Sequence, residues 1–98
     1  MSAFVVALAR IDINNRNLQT YIKKSEKLAE EYGGQYIIRG PSDTIIEGDY
    51  LIDRSLVVLE FTTLAKAESF FFSDSYQKEI KPLRAGTGIY DVAIYEAP

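Results

Sequence analysis

The 98-residue chain contains neither cysteine nor histidine. The first absence excludes disulfides, thiolate nucleophiles and thiolate metal sites. The second excludes Ser-His-Asp chemistry, imidazole general bases and His-ligated zinc, iron or haem. A carboxylate-only Mg²⁺ or Ca²⁺ site stays open, but no acidic cluster has EF-hand spacing, so neither a metal nor a cofactor is expected. Long apolar runs are also missing. Phe4–Ala9 and Leu56–Leu59 are far too short to span a bilayer. The opening Met-Ser-Ala-Phe-Val-Val lacks the basic n-region of a signal peptide. The expectation is a soluble cytoplasmic protein with no membrane partner. Finally, no basic stripe is present. Eleven Lys and Arg stand against 14 Asp and Glu, for a net charge of −3. They are scattered except for Lys23-Lys24, so nucleic acid is not expected as a partner.

What is present reads as one folded domain. Apolar residues make up 47% and charged residues 26% of the chain, an ordinary globular mix. A chain of this length buries roughly 60–70% of its unfolded surface, enough for one modest core. Phe4–Ala9, continuing to about Ile11, is apolar and β-branched and predicts a buried strand. Asn14 or Asn15 is placed to cap a helix. Along that helix Leu18, Tyr21, Ile22, Ser25, Leu28, Ala29 and Tyr32 recur at helical spacing, and Gly33-Gly34 stops it. Gln35–Arg39 predicts a second strand, broken by Gly40-Pro41-Ser42-Asp43. Thr44–Glu47 reads as a short extended continuation and Gly48-Asp49-Tyr50 as a turn. Ser55–Phe61 predicts the third strand. Thr62 or Thr63 can cap a second helix that carries Leu64, Ala67, Phe70 and Phe71 inward. A shorter helix from about Ser75 groups Tyr76, Ile80 and Leu83, and Ile89–Glu96 forms the last strand. The order β-α-β-β-α-β is that of a ferredoxin-like α+β domain with a four-stranded antiparallel sheet. One domain, residues 1–98, is expected. Its first strand should be central, since it is among the most apolar and lacks Pro and Gly.

Two helices cover one face of such a sheet, yet the strands are apolar on both. Phe4, Val6 and Leu8 point one way, and Val5, Ala7 and Ala9 the other. A sheet with one wet face alternates more cleanly. A second copy packed sheet against sheet, a homodimer, is the simplest cover. The first and third strands, taken as parallel neighbours, would bring Arg10 and Glu60 together as an ion pair.

The middle of the chain resembles a bacterial family known as the domain of unknown function 1330. The matching residues begin with Tyr32-Gly33-Gly34-Gln35-Tyr36, Arg39-Gly40 and Ile46-Glu47-Gly48-Asp49-Tyr50. They continue with Val58-Leu59-Glu60-Phe61, Ser73-Asp74-Ser75-Tyr76 and Leu83-Arg84. The resemblance implies a dimeric α+β barrel, in which two ferredoxin-like sheets pack face to face, and implies no established activity. Two departures from the family pattern keep an aromatic: Tyr50 where Trp is common, and Phe71-Phe72 where Trp-Tyr is common. The same barrel serves cofactor-free monooxygenases, lactone isomerases and haem-degrading enzymes, an analogy of fold alone.

Candidate site residues each have a structural alternative. Arg39 could grip a carboxylate or enolate, or simply snorkel from a strand end or pair with a neighbouring acid. Glu47 and Asp49 could supply a base, or make ordinary turn contacts. Tyr36, Tyr50, Phe70, Phe71, Phe72 and Tyr76 could wall a pocket for a planar ligand, or fill core and interface. The site these suggest is a cleft at the loop-side end of the second strand. Arg39 would be its anion contact, with Glu47 and Tyr50 folding back from the long connection and Tyr76 and Arg84 approaching from the second helical segment. Tyr36 lies on the opposite parity and would join only through a twist or bulge. Two functions stay open. One is a dimer that binds or transforms a small, in one version anionic, organic molecule without a cofactor. The other is a non-enzymatic interaction or stress-related module whose dimer surface is the functional part.

Overall fold

In the computed structural model, which describes residues 1–98, the run Ala3–Ile11 forms strand β1. Helix α1 follows at Arg16–Glu31, strand β2 at Gln35–Pro41, strand β3 at Ser55–Phe61, helix α2 at Leu64–Phe71 and strand β4 at Gly88–Glu96. Between α2 and β4 the chain makes a π-helical turn, Ser75–Ile80, that tightens into a 3-10 turn, Lys81–Arg84. The local signals act as their chemistry dictates. The Asn15 side chain caps α1 by accepting from the backbone N–H groups of Asn17 and Leu18. Thr63 caps α2 by accepting from Lys66 N–H. Gly33 ends α1 at φ +79°, a conformation that costs a side chain dearly. At Gly34 the limit is space, since a Cβ would lie 2.6 Å from the Phe61 ring.

The sheet order is β2-β3-β1-β4, with β1 central as expected. Every pairing is antiparallel, including β1 with β3. This corrects the parallel arrangement assumed for these two strands. Helix α1 carries the chain back along the sheet, so β2 starts in the direction of β1, and β3 then runs against both. The Arg10–Glu60 pair falls with that assumption. Glu60 lies opposite Phe4, while Arg10 lies opposite Ile89. Six residues of strand separate the two positions, roughly 20 Å.

The core lies between the sheet and the helices. Ala3, Val5, Leu59 and Phe61 pack from the strands against Leu28, Ala29, Ala67, Phe70, Tyr76 and Ile80. Phe70 is its hub, with ring centroids 5.4 Å from Phe61, 5.2 Å from Tyr76 and 6.1 Å from Tyr32. On the other side of the sheet stand Phe4, Val6, Leu8, Leu56 and Val58, with no helix above them. Ile38, Ile89 and Tyr95 are exposed large residues of the strands that flank them.

The long connection between β2 and β3 crosses this helix-free side. Thr44–Glu47 forms no strand, contrary to expectation, because no neighbouring strand offers it a ladder. The Tyr50 hydroxyl donates to Asp91 of β4 at 3.0 Å, and Asp91 lies beside Leu8 on the helix-free face. Arg54 fixes the loop from behind. Its Nε donates to the Tyr50 carbonyl at 2.7 Å and its guanidinium lies 4.3 Å from the Tyr50 ring centroid.

Candidate functional site: a cavity between α1 and the sheet

On the helix side of the sheet, the central strand presents mostly small residues: Ala3, Val5, Ala7 and Ala9. Ala3 and Val5 sit under the packed core. Ala7 and Ala9 lie further along, where α1 stands over them on Leu18, Tyr21, Ile22 and Ser25. The small side chains of the strand, with Ser25 on the helix, leave a gap, and the result is a cavity of about 610 Å³. Ala7, Ala9, Val57 and Val92 form its apolar floor. The volume falls in the range of small-molecule sites, which are mainly apolar with a few placed polar groups.

The polar groups gather from five elements. Tyr21 of α1 and Tyr76 of the π-helical turn share a 2.6 Å hydroxyl–hydroxyl hydrogen bond. Arg84, at the end of the 3-10 turn, lies over the Tyr90 ring at 4.7 Å and faces the Tyr21 ring at 5.8 Å. The Thr87 hydroxyl bonds to both the Arg84 carbonyl and the Tyr90 hydroxyl, which ties this corner together. From β2 come Tyr36 and Arg39, the guanidinium 4.4 Å from the ring centroid. They share a face because the register slips between Tyr36 and Ile38, a bulge at Ile37. One extra residue reverses the parity downstream of it. Tyr36 therefore lies opposite Leu59 and Arg39 opposite Val57, both on the cavity side.

The electrostatics favour hydrogen bonding over proton abstraction. Burial pushes the Tyr76 hydroxyl well above the usual tyrosine range, and the neighbouring Tyr21 adds to the shift. Burial also raises Tyr36, with the Ser25 hydroxyl pulling the other way. Both rings therefore stay neutral at ordinary pH and act as polar contacts rather than bases. Arg39 and Arg84 are the only charged residues that line the cavity. Arg39 sits at the mouth and is already paired with Glu26 of α1 at 3.1 Å, each side chain more than two-fifths exposed. No cluster of acidic side chains is arranged to hold a metal ion, and no helix is long and apolar enough to cross a membrane.

The residues singled out from the sequence divide by face. Arg39, Tyr36, Tyr76 and Arg84 line one cavity, along with Phe70 and Phe71. Tyr50 is on the helix-free side, bound to Asp91. Glu47 is exposed and lines no part of the cavity. The connection does fold back over the sheet, but over the opposite face from Arg39. Sequence reasoning missed Tyr21, Tyr90, Ala7, Ala9 and Ser25 as cavity residues. Ala7 and Ala9 on the central strand, with Ser25 on the inner stripe of α1, were the available signal.

The whole chain, residues 2–98, matches the family described as Domain of unknown function (DUF1330). The chain belongs to that family. Two solved structures resemble it in fold. One is a protein of unknown function from Rhodopseudomonas palustris, 13% identical, with a TM-score of 0.72 over 99% of this chain and 82% of that one. The other is a conserved protein from Methanosarcina mazei Go1, 19% identical, with a TM-score of 0.57 over 100% of this chain and 94% of that one. At these identities the likeness concerns the fold alone. A comparison with curated proteins gave no match. For this DUF1330 chain, then, any account of function rests on its own cavity and surfaces.

Proposed function

We propose that this protein binds a small, largely apolar organic molecule in the cavity between α1 and the sheet, and that it does so as a homodimer. The observation that carries the binding reading is the cavity itself: about 610 Å³, floored by alanine and valine, with tyrosines and arginines at its polar end. No carboxylate lines it, and Tyr36 and Tyr76 are held protonated. Binding needs no general base, whereas proton transfer would need one. The reading is therefore a binding protein first. Native mass spectrometry of protein taken directly from cell extract should show a retained small molecule. It should be lost in Ala7→Phe, which puts a ring into the cavity floor. Wild-type protein that emerges bare, and takes up an apolar probe no better than Ala7→Phe, would remove this reading.

The dimer reading rests on the helix-free face. Phe4, Val6, Leu8 and Leu56 remain partly exposed there, and Ile38, Ile89 and Tyr95 are largely so. Soluble monomers seldom leave such a patch uncovered. The pairing register places Val6, opposite Val58, on this face and Val5, opposite Leu59, against the core. Val6→Asp should therefore yield monomers or insoluble protein. A stable wild-type monomer in sedimentation at micromolar concentration would rule the dimer out.

A further inference from the structure

We infer that the cavity takes an aromatic carboxylate, its anionic group held by Arg84 together with the Tyr21 and Tyr76 hydroxyls. This rests on the binding reading above and goes beyond it by naming the ligand's chemistry and the residue that selects it.

The two lining arginines are not equivalent. Arg39 is paired with Glu26 at the mouth. Arg84 is part-buried and has no acidic partner within salt-bridge distance. Its flat guanidinium lies over the Tyr90 ring at 4.7 Å. None of its side-chain N–H groups is hydrogen-bonded within the protein, which leaves them free for the two-pronged contact a carboxylate makes. The backbone beneath it is fixed, because the Arg84 carbonyl accepts from both the Thr87 N–H and the Thr87 hydroxyl.

The tyrosine pair adds a neutral donor. Two hydroxyls that share one hydrogen bond use one of their two protons. The second proton is left to donate, and neither hydroxyl makes another hydrogen bond within the protein. The Arg84 charge also reaches this pair, since it acts against the upward shift of the Tyr76 hydroxyl. A ligand that displaced water from this corner without supplying a negative charge would leave a guanidinium unpaired, which is costly. A cation would be repelled. The ligand's body is set by the remaining wall. Tyr21, Tyr36, Phe71 and Tyr90 line it as part-buried rings, and ring faces favour a planar apolar partner.

The test uses 2-naphthoate and its neutral isostere 2-naphthamide, titrated by calorimetry into wild type, Arg84→Gln, Arg84→Lys and Ala7→Phe. Wild type should prefer naphthoate by about tenfold, the scale of one hydrogen bond to a charged group. Arg84→Gln should lose that preference while still binding naphthamide, Arg84→Lys should keep part of it, and Ala7→Phe should weaken both probes. If wild type binds both probes equally, the carboxylate assignment fails and the cavity reading stands, whatever the Arg84 variants do. If wild type binds neither, or Ala7→Phe leaves both unchanged, the cavity reading fails and this inference goes with it.

Discussion

Ala7 offers a direct test of whether the space under α1 is a true gap. It lies on the central strand between Val57 of β3 and Val92 of β4. Despite that position it is only partly buried, because the cavity reaches it. Ala7→Leu adds three carbons. At about 0.8 kcal/mol for each buried carbon the gain is roughly 2.4 kcal/mol. Ordering the new side chain takes back about 0.5–1 kcal/mol, leaving a net stabilisation of about 1.5–2 kcal/mol. For a domain of this size, 1 kcal/mol moves Tm by about 4–8 °C, so the variant should melt on the order of 10 °C higher. The same change should weaken uptake of an apolar probe. Calorimetry of both proteins without ligand measures the first effect. A filled core would give the opposite sign, since overpacking costs about 1–3 kcal/mol. A lower Tm for Ala7→Leu would therefore refute the cavity.

Three further outcomes follow from the same geometry. Phe70→Ala removes a ring that is 1% exposed and contacts Phe61, Tyr32 and Tyr76; denaturant unfolding should show a loss of about 3–5 kcal/mol, and a loss below 1 kcal/mol would mean the core is centred elsewhere. In amide exchange, Val5–Ala9 and Val57–Leu59 on the inner strands should be the slowest segments, and slower exchange at Ile89–Tyr95 would contradict the strand order. Tyr36 and Tyr76 are both raised in the folded state, so their contribution to stability is complete below the unfolded tyrosine value of about 10 and is lost as pH rises through the folded values; Tyr76→Phe should flatten the alkaline fall in stability, and an unchanged slope above pH 10 would show that Tyr76 is not the group responsible.

Local features were legible in the sequence, and long-range ones much less so. The inner stripe of α1, its Asn15 cap, the Thr63 cap of α2 and the central place of β1 all follow from short-range chemistry. The antiparallel sheet expected from the element order already sets β3 against β1, since α1 returns the chain so that β2 runs with β1 and the next connection reverses it; treating the two as parallel neighbours contradicted that order. Arg10 and Glu60 were paired on that error. The bulge at Ile37 marks a second limit. Counting by twos along β2 puts Tyr36 and Arg39 on opposite faces, and only the pairing with β3 reveals the extra residue. Tyr50 marks a third. Nothing near it in sequence indicates that its hydroxyl reaches Asp91 on the far edge of the sheet. The cavity lining was therefore partly legible: Tyr36, Arg39, Tyr76 and Arg84 converge on it, while Glu47 and Tyr50 do not join them.

The central strand shows why one sheet can serve two purposes. Its helix-side set is Ala3, Val5, Ala7 and Ala9, and its helix-free set is Phe4, Val6 and Leu8. The bulkier residues are on the face that no helix covers, and the smaller ones are on the face that two helices cover. A monomer built only to fill a core would reverse this, because large side chains lower the free energy most where they are buried and small ones leave gaps. The observed arrangement makes sense if the outward face is buried by a second copy and the inward gap is filled by a bound molecule. Each proposal accounts for one parity of the same strand. They also fail separately: Val6→Asp perturbs the outward set and leaves the cavity lining intact, while Ala7→Phe does the reverse.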